Sequence, residues 1–347
     1  MIRVVVTGIG LISALGNNLE NSWRRLITGK SGIKLYQPFL ELQPLPLGLI
    51  GDRPTELKNI TQKAVTSVLQ DALLAPPLPD CGIVIGSSRG YQAEWEKMAR
   101  MYEDKEIRTE RDKVEKFSTS STPSLCLPLL SSLPHMNAMA AARLAGATGI
   151  VLAPMAACAT GIWALFQAFN LIKYERYERV IAGAVEAPIT PLTITGFDKM
   201  KALAKTGAYP FDVNREGLVL GEGAALFVLE SAELAHQRGA KIYGEICGFG
   251  LTADAYHANQ PEPQGKGAIS AVKKCLHLAH ISPGDIDYIH AHGTATQRND
   301  RMESLVIQSI FPQSVAVSST KGSTGHTLGA SGALGVAFSL TSCKNLI

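Results

Sequence analysis

The chain has 347 residues, of which 46% are hydrophobic and 18% charged, with a formal net charge of +3. This composition excludes a disordered chain and gives a globular one with a large core, long enough for one large domain or two ordinary ones. The charge is too small for a nucleic-acid surface, and Arg24, Arg25 and Lys30 read as a solvated cluster.

Strand-like sequence begins at once, without the apolar segment and cleavage site of a signal peptide, so the expectation is a cytoplasmic chain. Arg3 to Thr7 reads as a buried strand of β-branched residues, followed by a glycine turn at Gly8-Ile9-Gly10. Gly8, Gly10 and Gly16 lack the G-x-G-x-x-G spacing, and no acidic residue closes a second strand about twenty residues on. A nicotinamide dinucleotide site is therefore the weaker reading. Asn21 to Ile27 predicts a short helix, Pro38 to Pro46 a loop, Asn59 to Leu73 a helix and Cys81 to Gly86 a buried strand. Gln92 to Lys116 is charged and reads as a solvated helix or loop. Ser118 to Ser132 reads as irregular, and Asn137 to Ala145 as a helix of small residues.

The stretch Gly149 to Phe169 is the focus of the chain. Ile150 to Leu152 predicts a buried strand, small residues lead to Cys158, and Ala159-Thr160-Gly161 opens an apolar helix from Ile162 to Ile172. A cysteine at a helix start meets unpaired N–H groups and the positive end of the helix dipole, which favour a thiolate nucleophile. The alternative is an ordinary buried core cysteine. Pro154 and the break at Ala159-Thr160-Gly161 argue against a membrane span.

Further on come a strand at Val180 to Val185, a loop at Lys199 to Gly217, a strand at Ala225 to Leu229 and a helix at Ala232 to Arg238. The strand Ile242 to Cys247 opens a second half. Then follow a helix at Gly267 to Ala279, a turn at Ser282-Pro283-Gly284 and a strand at Ile286 to Ala291. A helix at Arg301 to Ile310, a strand at Val315 to Ser318 and the glycine-rich Lys321 to Gly335 complete the series. This alternation predicts an α/β fold with a mostly parallel sheet, divided into residues 1–240 and 241–347. The six cysteines form no CxxC pair, so no zinc ribbon or disulfide framework is expected.

Two later segments resemble the first in character. Ile289 to Asp300, which contains a strand end, and Ser318 to Ala330, which follows a strand, carry histidine, glycine and hydroxyl residues, and strand ends of α/β folds gather catalytic groups. One cysteine with His292 and His326 admits three chemistries. They are a hydrolytic Cys–His–acid triad, acyl capture by the thiol with the imidazoles stabilising an enolate, and zinc binding. The last is weakest, because no two of the residues are close in sequence.

Ala157-Cys158-Ala159-Thr160-Gly161, His292-Gly293-Thr294-Ala295-Thr296 with Asp300, and Lys321 to Ala330 together resemble the active-site motifs of the β-ketoacyl-[acyl-carrier-protein] synthases. These are the decarboxylating condensing enzymes of type II fatty acid synthesis. Val6 to Gly10, Pro210-Phe211-Asp212 with Gly217, and Leu220 to Gly223 fit the same family, in its elongating Cys–His–His branch. The resemblance implies a thiolase-like αβαβα five-layer sandwich of two similar halves, the second incomplete, in a homodimer. Cys158 would hold the acyl chain, and His292 and His326 would stabilise the enolate left by decarboxylation of malonyl-acyl-carrier protein. Lys321 would tune the electrostatics, Thr294 and Thr296 would bind the phosphopantetheine arm, and Asp300 and Glu303 would brace the site. The implied partner is acyl-carrier protein, with no metal or other cofactor, no nucleic acid and no membrane. Two departures stand out. Family members continue past the point matching Ile347 into a tail with a Gly-Phe-Gly-Gly loop, and they usually carry a glutamate where this chain has Gly335. A non-catalytic partner subunit, of the chain-length-factor kind, or an inactive truncated copy is the alternative reading.

Overall fold

The computed structural model describes residues 2–101 and 126–345. Its main sheet has six strands in the order β5-β4-β6-β8-β1-β9. In chain order the strands are β1 (Val4–Ser13), β2 (Lys34–Tyr36), β3 (Leu45–Gly48), β4 (Cys81–Gly86), β5 (Val151–Leu152), β6 (Arg179–Glu186), β7 (Leu220–Gly221), β8 (Gly223–Ser231), β9 (Gly244–Ile246), β10 (Tyr288–His290) and β11 (Ala316–Ser318). β4 runs parallel to β5 and β6, whereas β8 is antiparallel to β6 and β1, and β9 is antiparallel to β1. The sheet is therefore mixed, which corrects the expectation of a mostly parallel one.

β1 brings a second correction. The strand does not stop at Thr7 but runs through Gly8 and Gly10 to Ser13, with a bulge between Val6 and Gly8. The glycines serve packing, not turning. A Cβ at Gly8 would lie 2.6 Å from Ala72 Cβ, and one at Gly10 would lie 2.6 Å from the Ala64 carbonyl. Both contacts fall at or just beyond the Leu57–Asp71 helix, so that helix seats directly on the strand backbone. The bulge turns the Ile9 N–H toward the Asp71 carboxylate, to which it donates at 2.7 Å.

Alternation along the strands divides the core into two layers. Ile181 and Val185 of β6 point to the face covered by the Leu57–Asp71 and Met136–Ala145 helices, where Ile60, Ala64 and Val68 are buried. Val180, Ala182 and Ala184 point to the other face, covered by the Thr160–Lys173 and Ser331–Asn345 helices. Each large aliphatic side chain so buried contributes about 1.5–3 kcal/mol. Beyond these two helices lies a second sheet, β10 parallel to β11, and outside it the helices Lys266–Ala279 and Gln297–Ile310. The layers thus run α, β, α, β, α, and among the described residues the second sheet has two strands. β9, expected to begin the second half, pairs with β1 of the first sheet instead.

Most expected elements stand with shifted ends. Cys126–Ser131 is helical where irregular chain was expected, and the Pro191–Lys199 helix was not expected. Residues 92–101 are helical; the rest of the expectations for Gln92 to Lys116 and Ser118 to Leu125 lie outside the described residues. No helix among the described residues is long and apolar enough to cross a membrane.

Candidate functional site

Cys158 sits where the chain leaves β5 for the Thr160–Lys173 helix. Thr160 Oγ1 ties this turn, donating to the Ala157 carbonyl at 2.7 Å and accepting from the Ala156 N–H at 2.9 Å. Ala157 is forced to φ +46°, and Phe211, Ala295 and Leu328 also have positive φ, at 63°, 64° and 40°. These non-glycine residues lie in the segments that carry the matched motifs, and such backbone strain collects at functional sites.

His292 follows β10 by two residues. Its N–H and that of Gly293 donate to the two oxygens of Glu303, at 2.6 and 2.8 Å, which fixes the loop on the Gln297–Ile310 helix. Lys321, 4% exposed, donates through Nζ to the His292 carbonyl at 2.5 Å. His326 is held by β7: its N–H donates to the Val219 carbonyl at 2.6 Å, and Gly221 N–H donates to its carbonyl at 3.0 Å. The three segments meet. Cys158 Sγ and one ring nitrogen each of His292 and His326 lie within 4.8 Å of one another, and the two rings stand edge to face with centroids 5.3 Å apart.

Hydrogen bonding fixes the proton on His326. The Leu328 backbone N–H, which can only donate, reaches Nδ1 at 3.0 Å, and Ser331 Oγ lies 3.1 Å from the same atom. Nδ1 is therefore the bare nitrogen, and Nε2 carries the hydrogen. Burial, with the nearby Lys321 cation second, holds both imidazoles neutral: His292 is lowered to about 3, and His326 well below its usual value. Burial also lowers Lys321 to about 8, against the pull of Glu303. The Cys158 thiol is raised by burial, with Lys321 opposing. Desolvation therefore works against the thiolate that the helix start favours.

The structure also places the remaining sequence-derived residues. Thr294 and Thr296 share a hydroxyl–hydroxyl hydrogen bond of 2.8 Å beside His292. Buried Asp300 accepts from the Phe211 N–H at 2.7 Å, which ties the Pro210-Phe211-Asp212 segment to the histidine loop. Sequence reasoning missed Glu186. Fully buried at the end of β6, it accepts from Ser87 Oγ, from the N–H and Oγ of Ser88, and from the N–H groups of Arg89 and Gly329. It therefore fixes the loop after β4 and the segment after His326 together. The available signal was an acid closing an apolar strand. Ser331, which bonds the His326 ring, was also missed. The motif residue Glu222, raised to about 7 by burial, accepts from the N–H groups of Ile50 and Thr55.

The Cys158–His292–His326 trio has the donor types of a soft metal site. The buried Lys321 cation stands beside it, however, and opposes a second positive charge there.

The family of beta-ketoacyl synthase N-terminal domains matches residues 56–235, and that of the C-terminal domains matches residues 243–346. The chain belongs to the beta-ketoacyl synthase family. Among other members, this synthase chain is 35% identical to the putative mitochondrial 3-oxoacyl-[acyl-carrier-protein] synthase of Schizosaccharomyces pombe, over 96% of this chain and 84% of that one. It is 34% identical to 3-oxoacyl-[acyl-carrier-protein] synthase 2 of Staphylococcus aureus strain MRSA252, over 99% and 86%. Its fold superposes with a TM-score of 0.87 on a chain from the complex of a type II PKS acyl-carrier protein with its ketosynthase bound to the hexaketide. That match is 29% identical and covers 98% of this chain and 86% of that one. The family and the thiolase-like α/β architecture expected from the motifs are those of the molecule.

Proposed function

We propose that this chain is a 3-oxoacyl-[acyl-carrier-protein] synthase that elongates an acyl group by decarboxylative Claisen condensation. The observation that carries this reading is the meeting of one thiol with two neutral imidazoles, one of them with its Nε2–H set by the Leu328 N–H.

Cys158 Sγ attacks the thioester of an acyl-carrier protein. The thiol proton leaves to water as the Sγ–C bond forms. The carrier's C–S bond breaks, and the departing phosphopantetheine sulfur takes up a proton. Malonyl-carrier protein then enters and loses carbon dioxide. The electron pair of the broken C–C bond becomes an enolate, whose oxygen accepts from His326 Nε2–H and a His292 N–H. The enolate carbon attacks the acyl carbonyl, the bond to Cys158 breaks, and the released thiolate takes up a proton. The product is a β-ketoacyl-carrier protein. Thioester activation drives the sequence, so it draws on no metal or other cofactor.

The surroundings support each role. Cys158 packs against an apolar cluster that includes Ile189, Ile194, Leu218 and Leu328, which Phe197 and Leu203 also join, and this surrounding suits an alkyl chain. Thr294 and Thr296 would hold the phosphopantetheine arm, Asp300 and Glu303 would brace the histidine loop, and Lys321 would set the field at the imidazoles. The nucleophile belongs to residues 1–240 and the imidazoles to residues 241–347. Among the described residues β5 is the edge strand of the main sheet, beside exposed Ile150 and Met155, and a second copy would join there in a homodimer. The reading places the protein in the cytoplasm, with no nucleic acid or membrane as partner. A non-catalytic partner subunit would have no use for the assembled trio. The test is incubation with acyl- and malonyl-carrier protein. Acylated Cys158, release of carbon dioxide and β-ketoacyl product are expected; no acylation and no carbon dioxide would refute the reading.

A further inference from the structure

A third histidine stands beside the trio. His290 ends β10, two residues before His292, and its ring is clamped between two other elements. On one side Nε2 lies 3.1 Å from Thr320 Oγ1, the residue before Lys321. On the other the ring rests on the bare backbone of Gly335 in the Ser331–Asn345 helix. A Cβ at Gly335 would come 2.8 Å from the ring's Nδ1 and 3.0 Å from its Cε1, closer than real Cβ atoms approach a fixed ring. This is the position where the family resemblance predicts a glutamate, and the His290 ring occupies the space such a side chain would need.

Each element that His290 touches carries a site group. β10 leads into His292. The Thr320 turn presents Lys321, whose Nζ bonds the His292 carbonyl. The helix beginning at Ser331 presents the hydroxyl that faces His326 Nδ1. Pairing of His290 with Ser318 across β10 and β11, the Ala291 N–H to Ser318 carbonyl bond at 2.9 Å, and the Ser319 Oγ to Gly293 carbonyl bond at 3.0 Å already join the first two elements. The His290 ring adds the third element to them. Cys158 lies on none of the three.

We propose that His290, seated on Gly335, is a positioning residue that sets the two imidazoles for decarboxylation without taking part in acylation of Cys158. The proposal rests on the condensing function inferred above. Its role is geometric: the ring spaces β10 from the Ser331–Asn345 helix, and Nε2 orients the Thr320–Lys321 turn. A displacement of order 1 Å at such a support costs about a hundredfold in rate when it reaches the reacting groups.

The experiment measures Cys158 acylation from acyl-carrier protein and carbon dioxide release from malonyl-carrier protein separately, in the full-length protein. His290→Phe keeps the ring's bulk and removes the bond to Thr320. Gly335→Ala pushes the ring aside. Both are expected to slow decarboxylation by roughly tenfold or more while acylation stays within about twofold. His290→Gln, whose amide reaches the place of Nε2, is expected to restore most of the rate. The double variant His290→Ala/Gly335→Ala is expected to be no slower than His290→Ala alone, because the clash needs both partners. Decarboxylation at the wild-type rate in His290→Phe and Gly335→Ala would overturn the proposal, as would equal loss of both half-reactions. A wild-type protein inactive in both would instead refute the condensing function, and the positioning role with it.

Discussion

Two neutral imidazoles around one thiol make each donor hydrogen count. His326 Nε2–H is fixed by the Leu328 N–H on the opposite nitrogen, so under the proposed condensation His326→Ala removes a preorganised donor to the enolate. Loss of one such donor costs roughly a hundredfold to a thousandfold in rate, and carbon dioxide release should fall by that factor while Cys158 still acylates. Protonation has a second consequence. His292, about 3 in the folded protein against an ordinary value near 6.5, stays neutral where the unfolded chain is protonated. Between pH 6.5 and pH 3 the unfolded state binds the extra proton, so stability falls as pH drops through that window. His290, lowered to about 4, and His326 act in the same sense. Urea midpoints measured across this range should fall less steeply in His292→Phe than in wild type. Cys158, His292 and His326 were legible because each lies in a turn whose neighbours advertise it. Glu186 was not, since its bond to Gly329 spans 143 residues and leaves no local pattern. The burial that raises the Cys158 thiol was illegible too, because desolvation is a property of the assembled site.

At the scale of elements, β1 shows how a correct strand can carry a wrong explanation. Gly8-Ile9-Gly10 looks like a turn, yet the strand passes through it because the Leu57–Asp71 helix needs a surface without Cβ atoms. Gly10→Ala would place a methyl group 2.6 Å from the Ala64 carbonyl and 2.7 Å from the Val68 N. Overpacking of this kind costs about 1–3 kcal/mol. The expected result is a lower urea midpoint with an unchanged slope. An unchanged midpoint would return the glycines to a merely conformational role. The Pro191–Lys199 helix was missed although its start signal was present: Thr190 caps it by accepting from the Thr193 N–H, and Pro191 opens the first turn. The strands Cys81–Gly86 and Arg179–Glu186 were legible because unbroken apolar runs bounded by polar residues suit a sheet covered on both faces.

Taken whole, the molecule is unequal. The first sheet is covered on both faces, and every residue of β4 and β8 is buried. In the second half, no residue of the Lys266–Ala279 helix is buried, and β11 is exposed throughout. Local opening follows such differences in burial. Amide hydrogen exchange should be slowest in β1, β4, β6 and β8 and faster in β10, β11 and the Lys266–Ala279 helix; equal protection of the two halves would contradict this. The α/β character of the fold was legible in the alternation of strands and helices. The docking of β9 on β1 was not, since it rests on three residue pairs between strands far apart in sequence.

The trio draws its sulfur from the well-covered half and its imidazoles from the sparsely covered one. Catalysis is thus a gauge of the seam between them. In rising urea, turnover should vanish at a lower concentration than far-ultraviolet ellipticity. An acyl group on Cys158 together with the carrier arm proposed to lie at Thr294 should draw the two midpoints together.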